Sequence, residues 1–306
     1  MATVKEKLTG VFPPVMTPFF PDGRIDYEGL AYNIGKMNRT KLGGYMPLGS
    51  NGEFRSLTDE EALEVLRVVI RTKSPDKTVM AGTGRESAYA TIEFTRRAAG
   101  EGADFASVLT PYYYANKMND EALTRFFTEV ADASPIPVLM YCAPGFAGGV
   151  IISAKAVSEL SRHPNIVGMK DTSKEDIAVY VAAGAGAAGT SADEFHVLAG
   201  SISKFYYGLK VGAIGGILSI ANYLPGLCCE IQELYTAGKK EEAEKLSERL
   251  KSITERATGK YSVAGVKGAM NLLGYRGGEP RVPVLPLKPH ELEEVRAVLQ
   301  EEGFLP

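Results

Sequence analysis

The sequence predicts a (β/α)₈ barrel, in which eight parallel strands alternate with helices. Eight short runs of β-forming residues recur at similar spacing, and each precedes a helical stretch, as in consecutive βαβ units. Such units close into a barrel at eight, whereas an open sheet has no reason to stop there. The 306 residues are 45% hydrophobic, which is enough for one large core.

The predicted strands cover residues 11–17, 43–49, 78–84, 106–112, 137–141, 166–170, 196–200 and 213–217. Helices are predicted at 58–73, 86–99, 119–133 and 153–162, and the first opens with Thr58 and a capping-box Glu61. After residue 223, Leu234, Ala243, Leu246 and Leu250 can share one helical face, and more helices are expected near 264–273 and 289–301. We therefore predict a barrel at 1–223 and a C-terminal helical appendage at 224–306, packed as one structural unit.

Charge and composition favour a small metabolite as the partner. Lys and Arg total 34 against 37 Asp and Glu, so the net charge of −3 gives no reason to expect nucleic acid or a membrane. The three cysteines lack a disulfide or zinc spacing, and no stretch is apolar enough to span a membrane. We expect a cytoplasmic protein, or one of an organelle matrix if a targeting peptide preceded it.

No organic cofactor and no metal are expected. A literal G-x-G-x-x-G at 184–189 follows a predicted helix and leads to a strand, the reverse of a dinucleotide fingerprint. There is no P-loop pattern, and the histidines lack companions at ligand spacing: His163, His196 and His290.

Polar residues stand where the predicted strands end, which is where barrels assemble their active sites. They are Thr17, Ser50, Asn51, Glu53, Thr110, Tyr112, Tyr113, Tyr141, Lys170, Asp171, Thr172 and Ser201, the last preceded by Gly200. Lys170 directly follows the apolar run 166–169, and a desolvated amine there must pair with a carboxylate or lose its proton. A neutral amine attacks ketones to form imines. A lysine that bridges to Asp171 or extends to solvent is the alternative.

Other strand ends could complete such a site. The Tyr141 phenol could act as acid and base in turn, with hydroxyls of Ser50 and Tyr113 aiding its ionisation. The turn at 49–52 offers hydroxyl, amide and N–H groups to a carboxylate, and Thr172 is a further candidate for substrate binding. An ordinary core tyrosine and a plain tight turn are the alternatives.

Four motifs in this order resemble one family of enzymes. Gly49-Ser50-Asn51-Gly52-Glu53, Thr110-Pro111-Tyr112-Tyr113, Tyr141-Cys142-Ala143-Pro144 and Gly168-Met169-Lys170-Asp171 are similar to those of the dihydrodipicolinate synthase and N-acetylneuraminate lyase family of class I aldolases. The similarity extends to the tail, at Gly265-Val266-Lys267 and Gly274-Tyr275.

The resemblance implies a lyase that acts on pyruvate or a pyruvyl-containing substrate, without a cofactor, as a homotetramer. Lys170 would form the Schiff base and Tyr141 would transfer protons. Ser50 and Asn51 would bind the carboxylate of the 2-oxo acid. Tyr113 would complete a hydroxyl relay in the site of a neighbouring subunit. The backbone of Gly200 and Ile217 would line the pocket.

Within the family, the motifs look closest to 4-hydroxy-2-oxoglutarate aldolase. Synthases usually have Thr-Thr in place of Ser50-Asn51, and an arginine where this chain has Phe146. We therefore expect cleavage of 4-hydroxy-2-oxoglutarate or a related 2-oxo-3-deoxy sugar acid. The alternatives are dihydrodipicolinate synthesis from pyruvate and aspartate semialdehyde, a catalytically silent sugar-acid-binding barrel, and a phosphate-binding barrel that uses the glycines of 212–216.

Overall fold

The structure, a computed structural model, describes residues 2–185 and 195–306. Its strands form one eight-stranded sheet in the order β1-β8-β7-β6-β5-β4-β3-β2. Their bounds are β1 Gly10–Phe12, β2 Gly44–Tyr45, β3 Thr78–Gly82, β4 Phe105–Leu109, β5 Val138–Cys142, β6 Ile166–Asp171, β7 His196–Ala199 and β8 Gly215–Ile217.

Helices alternate with these strands and continue past the last one. They are α1 Val4–Leu8, α2 Tyr27–Met37, α3 Asp59–Thr72, α4 Ala88–Gly100, α5 Asp120–Ala133, α6 Ala154–Leu160, α7 Ile177–Ala185, α8 Ile202–Val211, α9 Pro225–Thr236, α10 Lys240–Ile253, α11 Ser262–Leu272 and α12 Pro289–Glu301. Pairing is parallel from β3 through β8. The (β/α)₈ barrel and the C-terminal helices are confirmed.

Helix α3 begins at the residue that the sequence indicated. Thr58 accepts a hydrogen bond from the Glu61 N–H, and the Glu61 carboxylate accepts one from the Thr58 N–H. These two bonds satisfy donors that the first turn of a helix leaves open. Asn119 caps α5 and Ser153 caps α6. In each case the side chain accepts one hydrogen bond from a backbone N–H of the first turn.

The first two strands are shorter than predicted. The strand expected at 11–17 ends at Phe12, because Pro13 and Pro14 follow and proline has no N–H for the ladder. Beyond that point one isolated bridge joins Pro14 to Met46, and the strand expected at 43–49 is reduced to Gly44–Tyr45.

Leu234 does not share a helix with Ala243, Leu246 and Leu250, as the spacing had indicated. It lies on α9, and the other three lie on α10. Gly238 separates the two helices with a φ of 79°, a left-handed conformation that glycine adopts without a steric penalty.

The chain contains two compact units. The first combines Met1–Gly10 with Thr78–Ile217, and its core is built on the parallel strands β3 to β8. The second combines Val11–Lys77 with Leu218–Pro306 and contains α2, α3 and α9 to α12. Most of the glycine pattern at 184–189 lies outside the described residues. Within the described part of the chain, none of the helices has the length and apolar character needed to cross a bilayer.

Candidate active site

Lys170 lies in the buried strand β6 of the first unit. All six residues of this strand are buried, and Lys170 is only 3% exposed. The parallel register places Lys170 directly beside Tyr141 of β5. The Lys170 Nζ lies 4.1 Å from the centroid of the Tyr141 ring, within the range of a cation–π contact. The structure therefore brings the two principal sequence-predicted residues together.

Tyr141 is 3% exposed, and the end of the neighbouring strand adds a second hydroxyl near its backbone. The Thr110 N–H donates to the Tyr141 carbonyl oxygen at 3.4 Å. The Thr110 Oγ1 is buried without a hydrogen-bond partner among the described residues. Because buried hydroxyls are nearly always paired, this oxygen is available to a ligand or a water molecule.

Asp171 points away from Lys170 and binds a different lysine. Side chains alternate between the two faces of a strand, so consecutive residues face opposite sides. The Asp171 Oδ2 lies 2.5 Å from the Lys204 Nζ, and its Oδ1 accepts from the Ser173 N–H at 2.9 Å. Asp171 is fully buried. The Asp171 carboxylate therefore pairs with Lys204, on the face of the strand opposite to Lys170.

Thr172 and Gly200 connect the end of β6 to the ends of its two neighbours, β5 and β7. The Thr172 hydroxyl donates to the Cys142 carbonyl oxygen at 3.0 Å, and the Gly200 N–H donates to the Asp171 carbonyl oxygen at 2.7 Å. A Cβ atom at Gly200 would lie 2.2 Å from Thr172 Cγ2. This close approach requires glycine. Ile217, at the end of β8, is fully buried.

Tyr113 and Phe146 are exposed in the single chain. The Tyr113 side chain is 75% exposed, and its ring meets the Tyr114 ring edge-on at a centroid distance of 5.0 Å. Phe146, in the loop after β5, is 49% exposed. The Glu86 carboxylate holds the Tyr113 backbone, accepting from its N–H at 2.9 Å.

Ser50 and Asn51 belong to the second unit, where they form a short 3₁₀ turn with Gly52. The Asn51 Nδ2 donates to the Ser219 Oγ at 2.5 Å. The Ser50 Oγ is buried and has no hydrogen-bond partner among the described residues. The turn thus presents one fixed amide and one hydroxyl that is available for a ligand.

Two residues that flank this turn have unusual backbone conformations. Leu48 has a φ of 62° and Glu53 a φ of 53°, both in the left-handed region that residues with side chains seldom adopt. A Cβ at Gly52 would lie 2.8 Å from the Val15 carbonyl oxygen, so the turn also packs closely on its neighbour. Such a conformation persists only when surrounding contacts hold it.

The main holding contact is a buried ion pair that the sequence did not predict. Lys267, on α11, is 1% exposed, and its Nζ lies 2.6 Å from the Glu53 Oε1. It also donates to the carbonyl oxygens of Thr17 and Glu279 at 2.8 and 2.7 Å. The ammonium group therefore makes two hydrogen bonds to carbonyl oxygens and one ion pair to a carboxylate. Burial nevertheless lowers the pKa of Lys267 to about 8, with the Glu53 carboxylate opposing that shift.

The sequence carries a clear signature of one protein family. The dihydrodipicolinate synthetase family model matches residues 7–302, nearly the whole chain. The chain belongs to this family. A 4-hydroxy-tetrahydrodipicolinate synthase from Methanoculleus marisnigri is 34% identical over 298 residues, which cover 96% of this chain and 99% of the relative. An L-threo-3-deoxy-hexylosonate aldolase from Hypocrea jecorina is 31% identical over 303 residues, covering 96% and 94%.

Solved structures of the dihydrodipicolinate synthetase family agree with this assignment. A prophage protein of the family from E. coli K12, solved in complex with pyruvate, is 29% identical with a TM-score of 0.87, over 96% of this chain and 98% of that one. A dihydrodipicolinate synthase from Thermotoga maritima, 24% identical, shares the fold with a TM-score of 0.91 over 98% of this chain and 100% of its own. As a family member, the chain is a lyase of the class I aldolase type.

Proposed function

We propose that Lys170 forms a Schiff base with a 2-oxo acid and that the enzyme cleaves 4-hydroxy-2-oxoglutarate or a related 2-oxo-3-deoxy sugar acid to pyruvate and an aldehyde. The observation that carries this proposal is the buried Lys170 amine placed 4.1 Å from the Tyr141 ring. A catalytically silent binding barrel would have no use for a buried amine beside a buried phenol.

The chemistry follows from the imine. The Lys170 amine adds to the ketone carbon and water leaves, giving a protonated imine that withdraws electrons from the neighbouring carbons. Tyr141 then acts as the general base and takes the proton of the substrate's C4 hydroxyl. The bond between C3 and C4 then breaks, its electron pair forms an enamine, and the aldehyde departs. Tyr141 returns this proton to C3 of the enamine, and hydrolysis of the resulting imine by water releases pyruvate and restores the amine.

The other predicted residues are assigned to binding. We propose that Ser50 and Asn51 hold the carboxylate of the 2-oxo acid, supported by the unpaired buried Ser50 hydroxyl. Gly200, Ile217 and Thr172 would line the pocket. A carboxylate suits these groups because hydrogen bonds to an anionic acceptor are about twice as strong as neutral ones.

The preference for cleavage of an oxo sugar acid has two supports. Phe146 is half exposed in the loop after β5 and offers neither charge nor a hydrogen bond to a second carboxylate. A relative that is 31% identical is a deoxy-hexylosonate aldolase. The other candidate is 4-hydroxy-tetrahydrodipicolinate synthesis, favoured by the name of the relative that is 34% identical.

We further propose that Tyr113 completes a hydroxyl relay in the site of a neighbouring subunit, in a homotetramer of the cytoplasm or an organelle matrix. Its exposed side chain supports this role, as do other exposed apolar side chains of the same unit: Tyr89, Tyr114, Phe146 and Ile151. Exposed apolar patches mark association surfaces, and the Tyr113 and Tyr114 rings contact each other at a centroid distance of 5.0 Å.

Two measurements test the proposed function. Borohydride added with pyruvate should leave a reduced pyruvyl group on Lys170, detected by peptide mass spectrometry, and an adduct on another lysine would contradict the mechanism. Pyruvate release from 4-hydroxy-2-oxoglutarate and from 2-oxo-3-deoxy sugar acids is then compared with condensation of pyruvate and aspartate semialdehyde. If the condensation has the higher kcat/KM, the synthase assignment is correct instead.

A further inference from the structure

The turn that contains Ser50 and Asn51 depends on contacts from distant parts of the second unit. The Thr17 hydroxyl donates to the Gly52 carbonyl oxygen at 2.8 Å, while the Thr17 carbonyl oxygen accepts from the Lys267 Nζ. Lys267 thus reaches the turn by two routes: through Thr17 to Gly52, and directly through the Glu53 carboxylate.

The Glu53 carboxylate is fixed from both sides. Its Oε1 lies against the Lys267 Nζ, and its Oε2 accepts from the Arg281 N–H at 2.9 Å. The Arg281 guanidinium is itself occupied, with hydrogen bonds to the Glu61 carboxylate and to the carbonyl oxygens of Gly23 and Ser56. Among the described residues, Lys267 and Arg281 contact the Glu53 carboxylate, and Lys267 is the one that does so with its charged group.

Glu53 is the residue whose left-handed backbone ends the turn. Because that conformation is unfavourable for a residue with a side chain, the anchored carboxylate must offset its cost. The ion pair is almost entirely shielded from water, with side-chain exposures of 1% and 3%, so its attraction is little screened. Losing the Lys267 ammonium would leave a buried, unpaired carboxylate beside a strained turn.

We infer that Lys267 is a positioning residue for 2-oxo acid binding, acting through Glu53 to hold the Ser50 hydroxyl and the Asn51 amide in place. This inference rests on the proposed carboxylate role of that turn. It makes helix α11, in the C-terminal appendage, a determinant of affinity for the substrate carboxylate. Lys267 itself does not touch the substrate.

The test compares two ketones trapped on Lys170 by borohydride, one with a carboxylate and one without. We expect Lys267→Met to raise the pyruvate concentration that half-saturates trapping by about tenfold or more, because misplaced donors weaken a charge-assisted contact. The maximal trapping rate should remain within about threefold, and trapping of acetone, which has no carboxylate for the turn to bind, should not change. A general loss of stability would reduce the trapping of pyruvate and of acetone to the same extent.

Two further variants separate positioning from stability. Leu250→Ala, in the buried core of α10, destabilises the same unit without touching the turn and should leave pyruvate saturation unchanged. Glu53→Gln should reproduce the Lys267→Met effect, and the double variant should add little to either, since the two residues act as one unit. If Lys267→Met does not fold, Glu53→Gln decides the outcome by itself.

Unchanged pyruvate saturation in the folded variants overturns the inference, as does an equal loss with acetone. If the wild-type protein traps no pyruvate on Lys170, the proposed function fails first, and the positioning role fails with it.

Discussion

The Lys204 Nζ lies 2.5 Å from the Oδ2 of Asp171, the residue that follows Lys170 on β6. The Lys204 side chain is 18% exposed, whereas that of Asp171 is fully buried. Lys204 also donates to the Glu175 carbonyl oxygen at 2.6 Å. The end of β6, which carries Lys170, is therefore bound to helix α8 through Asp171 on the other face of the strand.

Lys204→Met should destabilise the protein by about 3 kcal/mol, because it leaves the buried Asp171 carboxylate without its counter-ion. Urea unfolding monitored by circular dichroism measures the change. The matched control is Lys210→Met on the same helix, where an exposed lysine is replaced and the loss should stay below about 0.5 kcal/mol. Equal effects of the two substitutions would show that the ion pair adds nothing to stability.

Lys170→Ala should abolish the borohydride-dependent pyruvyl adduct and all turnover while the protein stays folded. Removing the amine takes away the nucleophile, and shortening one side chain at the end of a strand leaves the backbone hydrogen bonds of β6 in place. Mass spectrometry and thermal unfolding provide the two readouts. Lys174→Ala, an exposed lysine four residues later, should behave as wild type. Collapse of the fold in Lys170→Ala would instead favour a structural role for this lysine.

Tyr141→Phe should lower kcat by roughly 100-fold or more, the usual scale for a positioned acid or base. Imine formation should persist, so pyruvate is still trapped on Lys170. Tyr207→Phe removes a hydroxyl from a tyrosine on α8 that is 43% exposed, and it serves as the control. Near-normal turnover in Tyr141→Phe would assign the proton transfer to another group.

The contribution of Lys267 to stability should increase with pH. Its pKa is about 8 in the folded protein against an ordinary value of 10.5, so between these values only the unfolded chain keeps the proton. Unfolding then requires proton uptake and becomes less favourable as pH rises. The charged groups that face Lys267 are Glu53, Arg281 and Glu279.

The measurement is the free energy of unfolding of the wild type minus that of Lys267→Met. This difference should grow by about 2 kcal/mol from pH 8 to pH 10. Because the free energy of unfolding of the variant is subtracted, the contributions of other groups that titrate in this pH range, including the tyrosines, cancel. A difference that stays flat over this range would mean that the ion pair with Glu53 keeps Lys267 protonated.

Tyr113→Phe and Lys170→Ala should complement each other if Tyr113 acts in a neighbouring subunit. Each variant alone should be nearly inactive. After the two variants are refolded together, each mixed pair of subunits contains one site that has both native residues. When equal amounts of the two chains pair at random, about half of the pairs are mixed, so activity should return to about a quarter of the wild-type level. Sedimentation checks that the protein is oligomeric, and an active monomer or no recovery on mixing would contradict the proposal.

The sequence by itself determined the order of the strands, the barrel they form and the position of Lys170 beside Tyr141. These features depend on local patterns: an apolar run that ends in a polar residue predicts a strand end, and adjacent parallel strands place their ends side by side. The capping box at Thr58 is equally local, because both of its partners lie within one helical turn.

Only the tertiary structure decided which lysine pairs with Asp171 and which acceptors surround the buried Lys267. Asp171 follows Lys170 in the chain but faces the opposite side of the strand and binds Lys204. Lys267 reaches a carbonyl oxygen of Thr17, which is 250 residues away in the chain. No periodic pattern connects residues so far apart, and the cost of burying a lysine is offset only where folding brings acceptors to it. The left-handed backbone at Glu53 has the same origin, because contacts from elsewhere in the fold hold it there.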